Sequence, residues 1–240
     1  MSKILELLFP PRCPGCDEIL RQYEREAGFC KKCYRKLHFI GDHGCITCGS
    51  FVADPTREYC YDCKKRSHNF NQARSVFLYA EPMKKAMYRF KYSNRRSYAR
   101  VFADYIMKYF GQWINRKQID VIIPVPMYYK KQRVRGYNQA QVLANELAKR
   151  THIPMVTDYV IRDKNTIPMK KLDDTARRLN LENAFKIRKS SVLFKKVLLV
   201  DDIYTTGATV DVISKQLKLA GVKEIYCITV CSPEGRQTKG

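Results

Sequence analysis

The chain predicts an α/β fold, a parallel sheet with helices on both faces, preceded by a small module built on four-cysteine zinc sites. Three observations predict it. Residues 197–209 read Val-Leu-Leu-Val-Asp-Asp-Ile-Tyr-Thr-Thr-Gly-Ala-Thr. The continuous apolar run is the mark of a strand covered on both faces, and two acids, a hydroxyl-rich turn and a helix follow it. Strand and helix patterns alternate between residues 71 and 230, as they do where helices cross over a parallel sheet. Finally, eight of the ten cysteines form four Cys-x-x-Cys pairs in the first part of the chain.

The pairs are Cys13/Cys16, Cys30/Cys33, Cys45/Cys48 and Cys60/Cys63. Each places two thiols on one tight turn, and four thiolates complete a tetrahedral Zn²⁺ site. Two structural Zn²⁺ are expected. The spacing favours sequential pairing, as in a tandem zinc ribbon, and leaves an interleaved, cross-braced pairing open. A disulfide framework is disfavoured because residues 1–11 carry one apolar run broken by Glu6 and no secretory signal. The expected setting is therefore cytoplasmic. Redox chemistry is disfavoured because four such pairs so close together read as metal sites. Residues 1–70 cannot build a large core without metal, so they are expected to form a double zinc-ribbon module, with residues 71–240 as the second domain. Cys227 and Cys231 fall in or beside the last apolar strand and read as core thiols.

In the second domain, residues 75–80 read as a strand, 82–92 and 96–113 as helices, 120–125 as a strand and 138–150 as a helix. Residues 155–161 read as a further strand. The end of the chain gives strand 197–200, helix 209–220 and strand 224–230. Between them, residues 162–180 are long, polar and charged, the profile of a mobile loop that closes over a ligand. No run of about twenty apolar residues is present, so no membrane insertion is expected.

Ligands in open α/β sheets bind outside the carboxyl ends of strands. Asp201 and Asp202 stand at such an end. The turn beyond them, Thr205, Thr206, Gly207, Ala208 and Thr209, offers hydroxyls and helix-start N–H groups that suit a phosphate monoester. Gly207 lets the backbone approach it. Adjacent carboxylates suit two ribose hydroxyls, directly or through Mg²⁺. A ribose 5-phosphate site is the expectation; the plainer alternative is that the threonines only cap the helix. Val121-Ile122-Ile123-Pro124-Val125-Pro126 is a strand ending in a Pro-x-Pro turn, which is either a rigid strand exit or a pyrophosphate loop.

The chain carries +22 formal charges. Counted by segment, +19 of them fall in residues 71–200. That excess points to a polyanionic partner, nucleic acid first. Aromatics are set among the cations in two clusters, Tyr88-Arg89-Phe90-Lys91-Tyr92 and Tyr128-Tyr129-Lys130-Lys131-Gln132-Arg133-Val134-Arg135. Lys130, Lys131, Arg133 and Arg135 can follow a phosphate backbone while Tyr92 and Tyr129 stack on unpaired bases. The alternative is that the aromatics face a core and the lysines solvate a surface.

Residues 197–209 resemble the phosphoribosyl pyrophosphate (PRPP) signature of type I phosphoribosyltransferases. The resemblance then narrows. Leu8-Phe9-Pro10-Pro11-x-Cys13-x-x-Cys16, the four cysteine pairs, Phe90-Lys91, Pro124-Val125-Pro126 and Arg135-Gly136-Tyr137-Asn138-Gln139-Ala140 resemble the ComF family. So does the loop Thr166, Leu172, Arg177, Asn180, Ala184-Phe185, with one departure: Met169 stands where the family commonly has Gln. The resemblance implies a type I phosphoribosyltransferase-like domain, PRPP with Mg²⁺ as ligand, and a role in natural transformation. It also implies single-stranded DNA and a DNA helicase of the competence machinery as partners. Two functions are expected in turn: a DNA-uptake factor that uses the fold to handle DNA or sense a ribose phosphate, or an active phosphoribosyltransferase of the amidophosphoribosyltransferase kind. No catalytic residue is assigned, because no base-selecting hood is legible.

Overall fold

The structure, a computed structural model, describes residues 9–163, 184–188 and 193–235. Its centre is a four-stranded parallel sheet in the order β1-β6-β5-β2. These strands are β1 (Gln72–Leu78), β2 (Val121–Pro124), β5 (Lys196–Ile203) and β6 (Glu224–Ser232). A separate antiparallel pair joins β3 (Val160–Arg162) to β4 (Phe185–Ile187). The helices, in chain order, are α1 (Lys31–Tyr34), α2 (Tyr61–Lys65), α3 (Met83–Tyr92), α4 (Tyr98–Lys117), α5 (Tyr129–Arg135), α6 (Gln139–Thr151) and α7 (Ala208–Leu219). Among the described residues, no helix is long and apolar enough to cross a membrane.

β5 is central because Val197, Leu198, Leu199 and Val200 are fully buried, and their alternation feeds both faces of the sheet. Leu198 and Val200 join Ile122, Tyr226 and Ile228 on one face, under Phe90, Phe102, Leu143 and Leu147 of α3, α4 and α6. Val197 and Leu199 join Val121, Ile123 and Ile225 on the other, under Val212, Ile213 and Leu217 of α7. The register places Val200 beside Pro124 and Ile228. Local chemistry sets the helix ends. Asn138 caps α6 by accepting from the Ala140 N–H at 3.1 Å, while its amide donates to the Val125 carbonyl at 3.0 Å.

The zinc-ribbon segment is built into this core. Cys13, Cys30 and Cys33 belong to the first packed cluster, and Cys45, Cys48 and Cys60 to the second. Residues 38–40 cover the free edge of β1: Ile40 N–H donates to the Val76 carbonyl and Leu78 N–H to the His38 carbonyl, both at 2.9 Å. Gly49 makes a close approach possible, since a Cβ there would lie 2.7 Å from the Ala73 carbonyl oxygen.

One element was not anticipated and another differs from expectation. The basic run 129–135 is a helix, α5, ended by Gly136 at φ 82°. The expected strand 155–161 splits. Ile122 N–H donates to the Pro154 carbonyl and Val156 N–H to the Ile122 carbonyl. The chain then leaves the sheet, and Val160 pairs with Ile187 instead. A short apolar run says that a segment pairs, not which edge it pairs with.

Candidate functional site

The cysteines assemble sequentially. Cys13, Cys16, Cys30 and Cys33 form one group and Cys45, Cys48, Cys60 and Cys63 the other, with all donor atoms of a group within 4.8 Å of one another. The interleaved pairing is thereby excluded. Cys16 and Cys30 Sγ are 3.7 Å apart, as are Cys48 and Cys60 Sγ. A tetrahedron with Zn–S bonds of about 2.3 Å has edges of about 3.8 Å, so the donor set fits zinc. The Cys30 N–H donates to Cys13 Sγ at 3.4 Å, the kind of bond that steadies a metal-bound thiolate.

Asp201 and Asp202 lie toward the carboxyl end of β5. The Asp202 N–H donates to Asp201 Oδ1 at 2.8 Å, and Asp202 Oδ2 pairs with Lys91 Nζ at 3.0 Å. Burial, then the charge of Asp202, pushes the Asp201 carboxyl up to about 7, with Lys91 and Arg162 pulling against it. Burial opposes the charge on Lys91, but the Asp202 carboxylate outweighs it and holds the ammonium above its usual range. Lys91 arrives from α3 and Arg162 from β3. Neither role was legible in the chain, although Phe90-Lys91 stood out as a family resemblance.

The turn follows. Thr205 is exposed, Thr206 half-buried and Gly207 buried. Thr206 Oγ1 accepts from the Ala208 N–H at 3.4 Å, a weak cap on α7. Gly207 adopts φ 72°, and a Cβ there would lie 2.0 Å from Tyr204 Oη. The glycine is thus required by the left-handed backbone and by the buried Tyr204 beneath it, a reason distinct from the expected closeness to a ligand. Thr209 lies in the first turn of α7. Asp201 to Thr209 run from the carboxyl end of β5 into the first turn of α7, and Lys91 pairs with Asp202 there.

The aromatic and basic residues come together in part. The Arg135 guanidinium lies 4.8 Å over the Tyr92 ring, joining α5 to α3. Tyr88 and Tyr92, both exposed, have centroids 5.1 Å apart. Lys130, Lys131 and Arg133 are exposed on α5, and Lys130 lies 6.0 Å over exposed Tyr129. Tyr128 and Tyr137 are instead buried. The loop positions Thr166, Met169, Leu172, Arg177 and Asn180 lie outside the described residues.

Comparison with known proteins agrees with both halves. Residues 4–64 match the double zinc ribbon domain, and residues 96–239 match the phosphoribosyl transferase domain. Competence protein F of Haemophilus influenzae is 31% identical over 220 residues, covering 89% of this chain and 86% of that one. Competence protein ComFC of Bacillus subtilis is 31% identical over 75% of this chain and 73% of its own. The DNA utilization protein YhgH of Escherichia coli O157:H7 is 26% identical over 85% of this chain and 90% of its own. Among solved structures, a purine phosphoribosyltransferase from Pyrococcus horikoshii aligns with TM-score 0.34 and 19% identity, over 56% of this chain and 84% of that one. The fold assignment rests on the domain match and the parallel strand order, and on these grounds the chain belongs to the ComF/ComFC family of competence proteins, with a double zinc ribbon and a phosphoribosyltransferase domain.

Proposed function

We propose that the chain binds a ribose 5-phosphate ligand, PRPP with Mg²⁺, on residues 201–209 and single-stranded DNA along α3 and α5, in support of DNA uptake during natural transformation. One observation carries the first part: adjacent carboxylates at the carboxyl end of a central strand run straight into a threonine turn that opens α7. Helix-start N–H groups with the Thr205, Thr206 and Thr209 hydroxyls would receive the 5-phosphate. Asp201 and Asp202 would receive the ribose hydroxyls, directly or through the metal. Lys91 already pairs with Asp202 at this strand end. The charge excess and the Tyr92–Arg135 stack support the second part. The names of the relatives, competence and DNA utilization, support the role in uptake, and a competence helicase is the partner we propose.

Calorimetry with PRPP and Mg²⁺ tests the site. Asp201→Asn with Asp202→Asn should abolish binding while circular dichroism stays unchanged; wild-type affinity in that variant overturns the assignment. The second reading, an active phosphoribosyltransferase, is favoured by the domain match. It predicts pyrophosphate release from PRPP in the presence of one of a panel of bases and amines, and silence across the panel counts against it.

A further inference from the structure

Residues 66–69 follow the last ligand of the second cysteine group and lie against the phosphate turn. Arg66 Nη2 donates to the Thr206 carbonyl at 2.8 Å. The Asn69 N–H donates to Asp211 Oδ1 at 2.7 Å, and the Asn69 side-chain amide to Oδ2 at 3.2 Å. Asp211 stands in the first turn of α7. His68, its side chain 2% exposed, lies between metal ligand and helix. Its Nε2 is 3.4 Å from Cys63 Sγ, and its Nδ1 is 3.5 Å from Asp211 Oδ1. Tyr204, which fills the space under Gly207, meets Phe70 edge-on at 6.3 Å.

The Arg66 bond has a directional consequence. In a trans peptide the carbonyl and the following N–H point opposite ways. A guanidinium that holds the Thr206 carbonyl from the zinc side therefore turns the Gly207 N–H away from that side, toward the open rim of the turn. The first cysteine group makes different contacts: Arg89 of α3 donates to the Gly15 carbonyl at 2.8 Å, and Arg95 pairs with Asp17 at 2.5 Å.

We infer that Arg66, His68 and Asn69 are positioning residues that clamp the phosphate turn to the second zinc site, so that this site, through Thr206 and Asp211, sets the geometry of the phosphate-binding N–H groups. The inference rests on the ribose-phosphate reading above for its ligand, but the clamp itself can be read without ligand.

Hydrogen exchange by mass spectrometry on the full-length, ligand-free protein reads it. Arg66→Ala and Asn69→Ala keep all eight zinc ligands, so elemental analysis should still give the wild-type zinc content. Amides in residues 204–211 should exchange roughly tenfold faster than in the wild type, as expected when one or two hydrogen bonds that hold a local segment are lost. PRPP affinity should fall roughly tenfold with them. Arg66→Lys, which keeps a cationic donor, should recover part of both effects. Lys149→Ala, on the exposed face of α6, should leave both unchanged. Wild-type exchange in Arg66→Ala and Asn69→Ala overturns the clamp, whatever PRPP does. Failure of the wild type to bind PRPP overturns the ribose-phosphate reading instead, and the exchange result still decides the clamp.

Discussion

Asp201 stands out in the sequence by its neighbour Asp202 and in the fold by its burial. Burial and the neighbouring Asp202 raise it from an ordinary 3.8 to about 7. Between those values the folded chain keeps a proton that the unfolded chain has released. The ligand-free protein should therefore lose stability as pH rises from about 4 through 7, by at most about 1.4 kcal/mol per pH unit from this group. Urea denaturation of wild type and Asp201→Asn across that range checks the sign: the variant should gain on the wild type as pH rises, and parallel curves would contradict it. Thr206 carries two burdens, a weak cap and a proposed phosphate contact. Thr206→Val should weaken ribose 5-phosphate binding by roughly 1–2 kcal/mol, read by calorimetry. The adjacent acids and the threonine turn were legible because they are neighbours in the chain. Lys91 and Arg162 were not, since α3 and β3 lie far away in sequence and only the fold brings them to Asp201 and Asp202.

At the scale of elements, the readings that held were those with a strong apolar signal, a continuous run for the buried strands or a helical period for the helices. β5, α6, α7 and β6 lie where their apolar patterns put them, within a few residues. α5 escaped because Tyr-Lys-Lys-Gln-Arg-Val-Arg has no apolar stripe to mark a helix; Val134 is itself 93% exposed. Its neighbours fix it instead, Tyr128 before and Gly136 after. That helix makes the proposed DNA surface concrete, since Arg135 reaches Tyr92 of α3. The protein should bind single-stranded DNA more tightly than duplex and without sequence preference. Neutralising Lys130, Lys131, Arg133 and Arg135 together should flatten the salt dependence, because each phosphate contact in a single strand accounts for a slope of about 0.7. Tyr92→Ala should lower affinity with little change in slope. Fluorescence anisotropy at several salt concentrations separates the two, and equal affinity for duplex counts against the surface.

In the whole molecule the two cysteine groups lie in opposite cores. The first shares its cluster with α3, α4 and α6, and the second with α7 and the other face of the sheet. The sequence reading made residues 1–70 a separate unit whose folding alone would depend on zinc. The packing points to a wider dependence, because Phe29 meets Phe77 of β1 at 6.2 Å and Tyr105 of α4 at 5.8 Å, while Phe70 meets Tyr204 beside the threonine turn. The spacing of the cysteines favoured sequential grouping without excluding the interleaved one, and it could not show what the finished site leans on; both had to come from the fold. Elemental analysis should give about two zinc ions per chain. Removing either ion should cost stability throughout, since metal binding is folding energy in such sites. Cys13→Ser should therefore destabilise the α4 face, and Cys48→Ser the α7 face, each lowering the midpoint of a transition followed by far-ultraviolet circular dichroism. A chelated protein whose parallel sheet melts at the wild-type temperature would show instead that the zinc segment is an appendage, and the shared cores would then contribute little to holding the fold.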